Sequence, residues 1–158
     1  MGIDLSIIWF VIIVFATLMY IVMDGFDLGI GILFPFVRDG HDRDVMVNSV
    51  APVWDGNETW LVLGGAGLFG AFPLAYAVII DALTIPLTLM LIGLIFRGVA
   101  FEFRFKATPA HRPFWDKAFL SGSILATFCQ GVVVGAVING FKVTGRTFSG
   151  SALDWLTP

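Results

Sequence analysis

Two pairs of carboxylates stand out in a chain of which only 13% of residues are charged. Asp24 and Asp27 are three residues apart, and Asp55 and Glu58 repeat that spacing. On a helix, residues at i and i+3 share a face, so each pair presents two acids to one neighbour. Arg97 and Glu102 add a third charged pair, expected to close the cytoplasmic end of another helix. An acid at mid-membrane costs about 2.5–3.5 kcal/mol on insertion scales, so such groups face a bundle interior or water. Four of them cannot all ionise cheaply, and some must be protonated or paired with arginine. A row of acids with differing proton affinities is what a proton path requires. Asp55 is the first candidate for that path, supported by Asp24 and Asp27, with Glu58 a weaker member. A structural reading competes: Asp55 and Glu58 could complement a helix dipole, and Asp24 and Asp27 could cap or pair. Asp81, near the outer start of its helix, reads as structural.

Other chemistry finds little support. Cys129 is the single cysteine, and no Cys/His spacing suggests a metal centre. His41 and His111 fall in predicted loops, away from any intramembrane axial position. Met19, Met23 and Met90 read as packing. Trp54 and Trp60 flank the second acid pair and suit either an interfacial anchor or the lining of an access route. Nothing points to nucleic acid, a phosphate loop or a nucleophilic triad.

The elements that must position these acids are membrane helices. Of 158 residues, 58% are hydrophobic and 13% charged, with a net charge of −3; the mean hydropathy is +0.91. Soluble domains carry about 25% charged residues. Leu5 to Met23 gives 19 uncharged residues, enough to cross a hydrocarbon core of roughly 30 Å. The segment lacks a basic leader and is too long for a signal peptide, so it should be retained. Apolar character resumes after Asp27 and continues to Val37. A helix over 5–37 would be about 50 Å long, with Asp24-Gly25-Phe26-Asp27-Leu28-Gly29 the expected place for any break. Further helices are predicted near 50–72, 75–101 and 118–140, with Phe72-Pro73-Leu74 as the turn between the second and third. The tail from Lys142 is polar and glycine-containing.

These boundaries predict an all-α integral membrane domain over 1–158, with four transmembrane helices in an up-down bundle. Arg38, Arg43, Arg97, Arg104, Lys106, Arg112 and Lys117 fall on one side, and Lys142 and Arg146 on the other. The excess puts loops 38–49 and 104–117 in the cytoplasm and the N-terminus outside. Gly25-x-x-x-Gly29 and Gly131-x-x-x-Gly135 suggest close helix contacts, and Gly64, Gly65, Gly67 and Gly70 form a further stripe.

Three stretches resemble a known family. Asp24-Gly25-Phe26-Asp27-Leu28-Gly29 is similar to the DGFD motif of subunit II of cytochrome bd-type quinol oxidases. Asn48-Ser49-Val50-Ala51-Pro52-Val53-Trp54-Asp55-Gly56-Asn57 is similar to its NS-(I/V)-AP-x-WDGN motif. Phe96-Arg97-Gly98-Val99-Ala100-Phe101-Glu102-Phe103-Arg104 resembles the segment closing its third helix. The resemblance covers the whole chain but about the first half of the family's usual length, so the chain is expected to be the N-terminal half of a two-bundle subunit.

The resemblance implies a haem-free subunit in the bacterial cytoplasmic (inner) membrane. Its partner would be a homologous subunit I carrying haem b, haem d and the quinol site. That complex oxidises quinol and reduces oxygen to water with protons from the cytoplasm, and this chain alone would not be catalytic. Subunit II would supply scaffold, part of a proton route through Asp55 with Asp24 and Asp27, and in some members an oxygen route near Trp60 or a structural quinone. Half of a proton-coupled transporter would also explain the acids, though not the three motifs, and a non-catalytic assembly subunit is a third reading.

Overall fold

The computed structural model describes residues 4–156. Helix α1 runs from Leu5 to Leu33 and ends in a 3-10 turn, Phe34–Phe36. Short helix α2 covers Gly40–Val50, then come α3 (Trp54–Ala71), α4 (Pro73–Lys106) and α5 (Arg112–Asn139). A two-stranded hairpin, β1 (Val143–Thr144) and β2 (Thr147–Phe148), and a 3-10 turn at Asp154–Leu156 complete the chain. Among the described residues, three helical stretches are long and apolar enough to cross a membrane: Leu5–Phe36, Pro73–Lys106 and Arg112–Asn139. The 18 residues of α3 are not among them, because its first turns carry Asp55, Asn57 and Glu58.

Local chemistry explains where the helices start and stop. The Asp4 carboxylate accepts from the Ser6 amide at 2.9 Å and caps α1. No break occurs at Asp24–Gly29: α1 passes straight through, and neither glycine takes a positive φ. Apolar surroundings favour an unbroken helix, since every backbone group must be satisfied internally. Pro35, which has no N–H to give, lies in the turn that ends it instead. The expected polar loop 38–49 is also corrected, because most of it is α2. Asp39 caps that helix by accepting from the amides of His41 (2.8 Å) and Asp42 (3.2 Å).

Pro73 opens α4 as the Phe72-Pro73-Leu74 turn requires. Within α4, Leu83 leaves helical geometry (φ −116°, ψ 18°) three residues before Pro86. A proline ring clashes with the carbonyl four residues earlier, here Ala82, and bends the helix. The α4 and α5 helices exceed their predicted limits, reaching Lys106 and starting at Arg112. Basic residues in the last turn of α4 complement its dipole. In the hairpin, Gly145 takes φ +65° at the first central position, the placement a type II′ turn asks of glycine.

The helices pack with α1 between α3 and α5, while α4 lies chiefly along α5 and touches α3 lightly. Between α4 and α5 the approach is backbone on backbone: a Cβ added at Gly122 would lie 2.7 Å from the Gly93 carbonyl oxygen, and one at Gly93 would lie 2.9 Å from that of Gly122. Gly25, Gly29, Gly131 and Gly135 meet nothing within 4 Å. The two spaced glycine pairs are therefore not the helix contacts within this chain. Phe34, Phe101 and Phe119 form an aromatic core where α1, α2, α4 and α5 meet. A second cluster, including Leu28, Leu94 and Ala126, fills the middle of the bundle. The outer faces are apolar, as at Val22 and Ile95, as expected of a membrane protein.

Candidate functional site

The acid-bearing faces of α1 and α3 converge on α4. Asp24 sits on the buried face of α1, opposite Arg97, and both are fully shielded from solvent. Arg97 donates from Nη2 to Asp24 Oδ1 at 2.6 Å, and the same nitrogen donates to Glu58. One guanidinium thus holds an acid from α1 and an acid from α3. Glu58 keeps 24% of its side-chain surface exposed, so the buried pair reaches the surface of the chain there.

Asp27 takes a different partner. It is fully buried, yet its bond is to the Asn57 amide, which donates to Oδ2 at 2.9 Å. Helical geometry puts Asn57 and Glu58 side by side on α3, so one turn of that helix serves both acids of α1. Four atoms here are buried without a hydrogen-bond partner: Asp24 Oδ2, Asp27 Oδ1, Arg97 Nε and Arg97 Nη1. Unsatisfied groups at such depth are costly, more so in low-dielectric surroundings.

The light contact between α3 and α4 leaves a groove of about 560 Å³ whose lining includes Trp54, Asp55, Glu58, Glu102 and Gly98. Asp55 is exposed at this groove and does not join the buried network. Glu102 is exposed as well and pairs with Lys106 at 3.5 Å, whereas Arg97, expected beside it at the helix end, is deep in the bundle because α4 continues to Lys106. Trp54 lies over Gly98 and against Phe101, with ring centroids 5.6 Å apart. Trp60 is half-buried and meets Phe15 edge to face at 5.8 Å. The two tryptophans therefore frame different surfaces.

A second ionic cluster, absent from the sequence reading, ties the end of the bundle. Arg104 bonds Asp116 at 2.7 Å and Asp44 at 2.6 Å, and Arg43 bonds Asp116 at 3.0 Å. Both guanidiniums lie over the Phe34 ring, at 5.2 and 5.5 Å. Hydrogen bonding from Arg104 holds the Asp44 carboxyl below its usual range. Only partner geometry distinguishes these acids from ordinary loop charges.

The sequence matches the family model "Cytochrome bd terminal oxidase subunit II" over residues 5–158. The chain belongs to that family. It is 36% identical over 138 residues to "Cytochrome bd-I ubiquinol oxidase subunit 2" of Escherichia coli (strain K12), covering 86% of this chain and 36% of that protein. It is 34% identical over 161 residues to "Probable cytochrome oxidase subunit 2" of Haemophilus influenzae, covering 98% of this chain and 43% of the other. "Cytochrome bd ubiquinol oxidase subunit 2" of Bacillus subtilis (strain 168) is 34% identical over 142 residues, with 86% and 41% covered. The chain spans about two fifths of the length of these curated relatives.

Membership of this family implies haem in the complex, and the residues here do not fit its ligation. His41 and His111 are exposed near the ionic end, with His111 Nδ1 bonded to Thr108 Oγ1 at 2.8 Å. Met90 is packed in the apolar cluster. Among the described residues, no group of three or more His, Cys, Asp or Glu could hold a metal ion.

Proposed function

We propose that this chain is the haem-free N-terminal part of subunit II in a quinol:oxygen oxidoreductase, and that it gives protons access from the cytoplasmic side. Haem b, haem d and the quinol site belong to a partner subunit I in the same bacterial cytoplasmic membrane. The observation that carries this reading is the Asp24–Arg97–Glu58 network, fully buried at one end and opening at Glu58 into an acid-lined groove. A purely structural pair has no need of an open end. Asp55, exposed in the groove, is the entry group; Glu58 receives from it, and Asp24 and Asp27 lie inward. Trp54 frames the groove mouth. Trp60, on another face, suits the oxygen route that the resemblance suggests, and a structural quinone would belong to the complex.

We further infer that α3 makes a fourth crossing in an up-down bundle. The ionic cluster joins α2, just after the end of α1, to the C-terminal end of α4, so those ends share one side. At 34 residues, α4 is about 51 Å long and begins on the other side. The connecting α3 must carry the chain across, and at about 27 Å it can. The basic residues near the cluster favour the cytoplasm for that side and the outside for the N-terminus.

The test uses the full-length subunit purified with its haem-bearing partner. Asp55→Asn is expected to slow quinol-driven oxygen consumption while leaving the haem absorption bands intact, and Glu58→Gln to do so more strongly. Wild-type turnover in both fully haem-loaded variants would refute the route.

A further inference from the structure

Tyr20 and Gln130 carry none of the family motifs, yet they continue the buried network. Tyr20 lies one turn before Asp24 on the same buried face of α1, only 4% exposed. Gln130 reaches across from α5 and donates from Nε2 to the Tyr20 hydroxyl oxygen at 2.6 Å. The tyrosine hydrogen is therefore left to give. Asp24 follows Tyr20 by four residues on that buried face, and its Oδ2 is buried without a partner. Arg97 meets this carboxylate through Nη2 alone, the atom it also uses for Glu58, so the second oxygen is left open.

We propose that Tyr20, oriented by Gln130, is a positioning residue for Asp24: its hydroxyl donates to the open Oδ2 oxygen and extends the polar chain to α5. A buried hydroxyl hydrogen without an acceptor and a buried carboxylate oxygen without a donor are both unfavourable, and a bond between them satisfies both. The resulting chain runs from Glu58 on α3 through Arg97 on α4 and Asp24 on α1 to Gln130 on α5. The Tyr20 hydroxyl fixes which oxygen of Asp24 faces the arginine and which is free to take a proton. This inference rests on the proton-access reading, and the two can fail separately.

The experiment takes the full-length subunit with its partner and records infrared spectra of the carboxyl region. The Asp24 band is the one lost in Asp24→Asn. Tyr20→Phe, which keeps the ring and removes one oxygen, is expected to shift that band and lower turnover several-fold at unchanged haem content. Gln130→Leu is expected to shift it less, in the same direction. An unshifted band in Tyr20→Phe overturns the proposal, and Arg97 then closes on Oδ2 by itself. If Tyr20→Phe fails to assemble, Gln130→Leu carries the test, and an unshifted band there overturns it equally. Unchanged turnover in Asp24→Asn would instead remove the proton-access reading, while the band still reports whether Tyr20 bonds Asp24.

Discussion

At the scale of single residues, the acids that share a spacing have separate fates because their partners differ. Asp24 meets a guanidinium, Asp27 an amide, Glu58 the same guanidinium from the other helix, and Asp55 the groove. Removing one member of a buried ion pair costs about 3–5 kcal/mol, because the remaining charge has no compensation. Arg97→Gln leaves two facing acids and is expected to lose roughly that much stability, measured by denaturant titration of the purified complex. Adding Asp24→Asn to Arg97→Gln should recover part of the loss, since one of the stranded charges goes. Additive losses in the double variant would mean that the two residues do not act as a pair. The sequence made the acids legible, because charge is rare here and the 3-residue spacing is easily seen. It did not show who pairs with whom: Asn57 looks like any polar residue until α1 places Asp27 opposite it, and Tyr20 and Gln130 are 110 residues apart.

Among the elements, composition located the long apolar helices and the proline turn, but it misjudged their interiors and contacts. Asp24–Gly29, the place named for any break, stays helical, and most of the expected loop 38–49 is helix. Backbone satisfaction in apolar surroundings outweighs the local preferences of glycine and aspartate in the first case, and a capping aspartate starts the helix in the second. The two small-xxx-small pairs pointed to the wrong contacts for a similar reason, since the pattern says that a helix can be approached, not that a neighbour stands there. In the α3 stripe, Gly64 and Gly67 do face α1, at Thr17 and Ile13. The contact that needs glycine joins Gly93 to Gly122, one on each helix, so no spacing in the sequence announces it. Gly122→Val should destabilise the α4–α5 pair by about 1–3 kcal/mol, because the added carbons meet backbone that cannot move aside. Gly131→Ala faces open space in this chain and should stay within about 0.5 kcal/mol. Thermal inactivation of the two variants side by side checks the contrast, and equal behaviour would mean that the α4–α5 approach is looser than described.

For the whole molecule, the ionic cluster and the buried network stand two turns apart on α4, in the same half of the bundle, and serve different purposes. Arg104 and Arg43 draw α2, α4 and α5 together around Phe34 through Asp116 and Asp44. That clamp holds the end of the bundle from which the α3–α4 groove leads inward. Its pH behaviour follows from Asp44, whose carboxyl lies below its ordinary value of 3.8, first through the Arg104 hydrogen bond, with Arg112 and His41 adding positive charge nearby. A depressed carboxyl contributes stability that is fully present above the unfolded value and disappears as pH falls through the folded one. The loss therefore belongs below about pH 4, and neutral pH leaves the clamp intact. The side chain of Asp44 is 38% exposed, so the contribution is that of a screened surface pair, under about 1 kcal/mol. Hydrogen exchange of the α2 amides, expressed relative to the intrinsic rate at each pH, should quicken on acidification through this range in the wild type. Asp44→Asn should quicken it already at neutral pH and flatten the acid response. If exchange in that variant at neutral pH matched the wild type, Asp116 alone would be holding the arginines, and α2 would rest on its Val47 and Val50 packing instead.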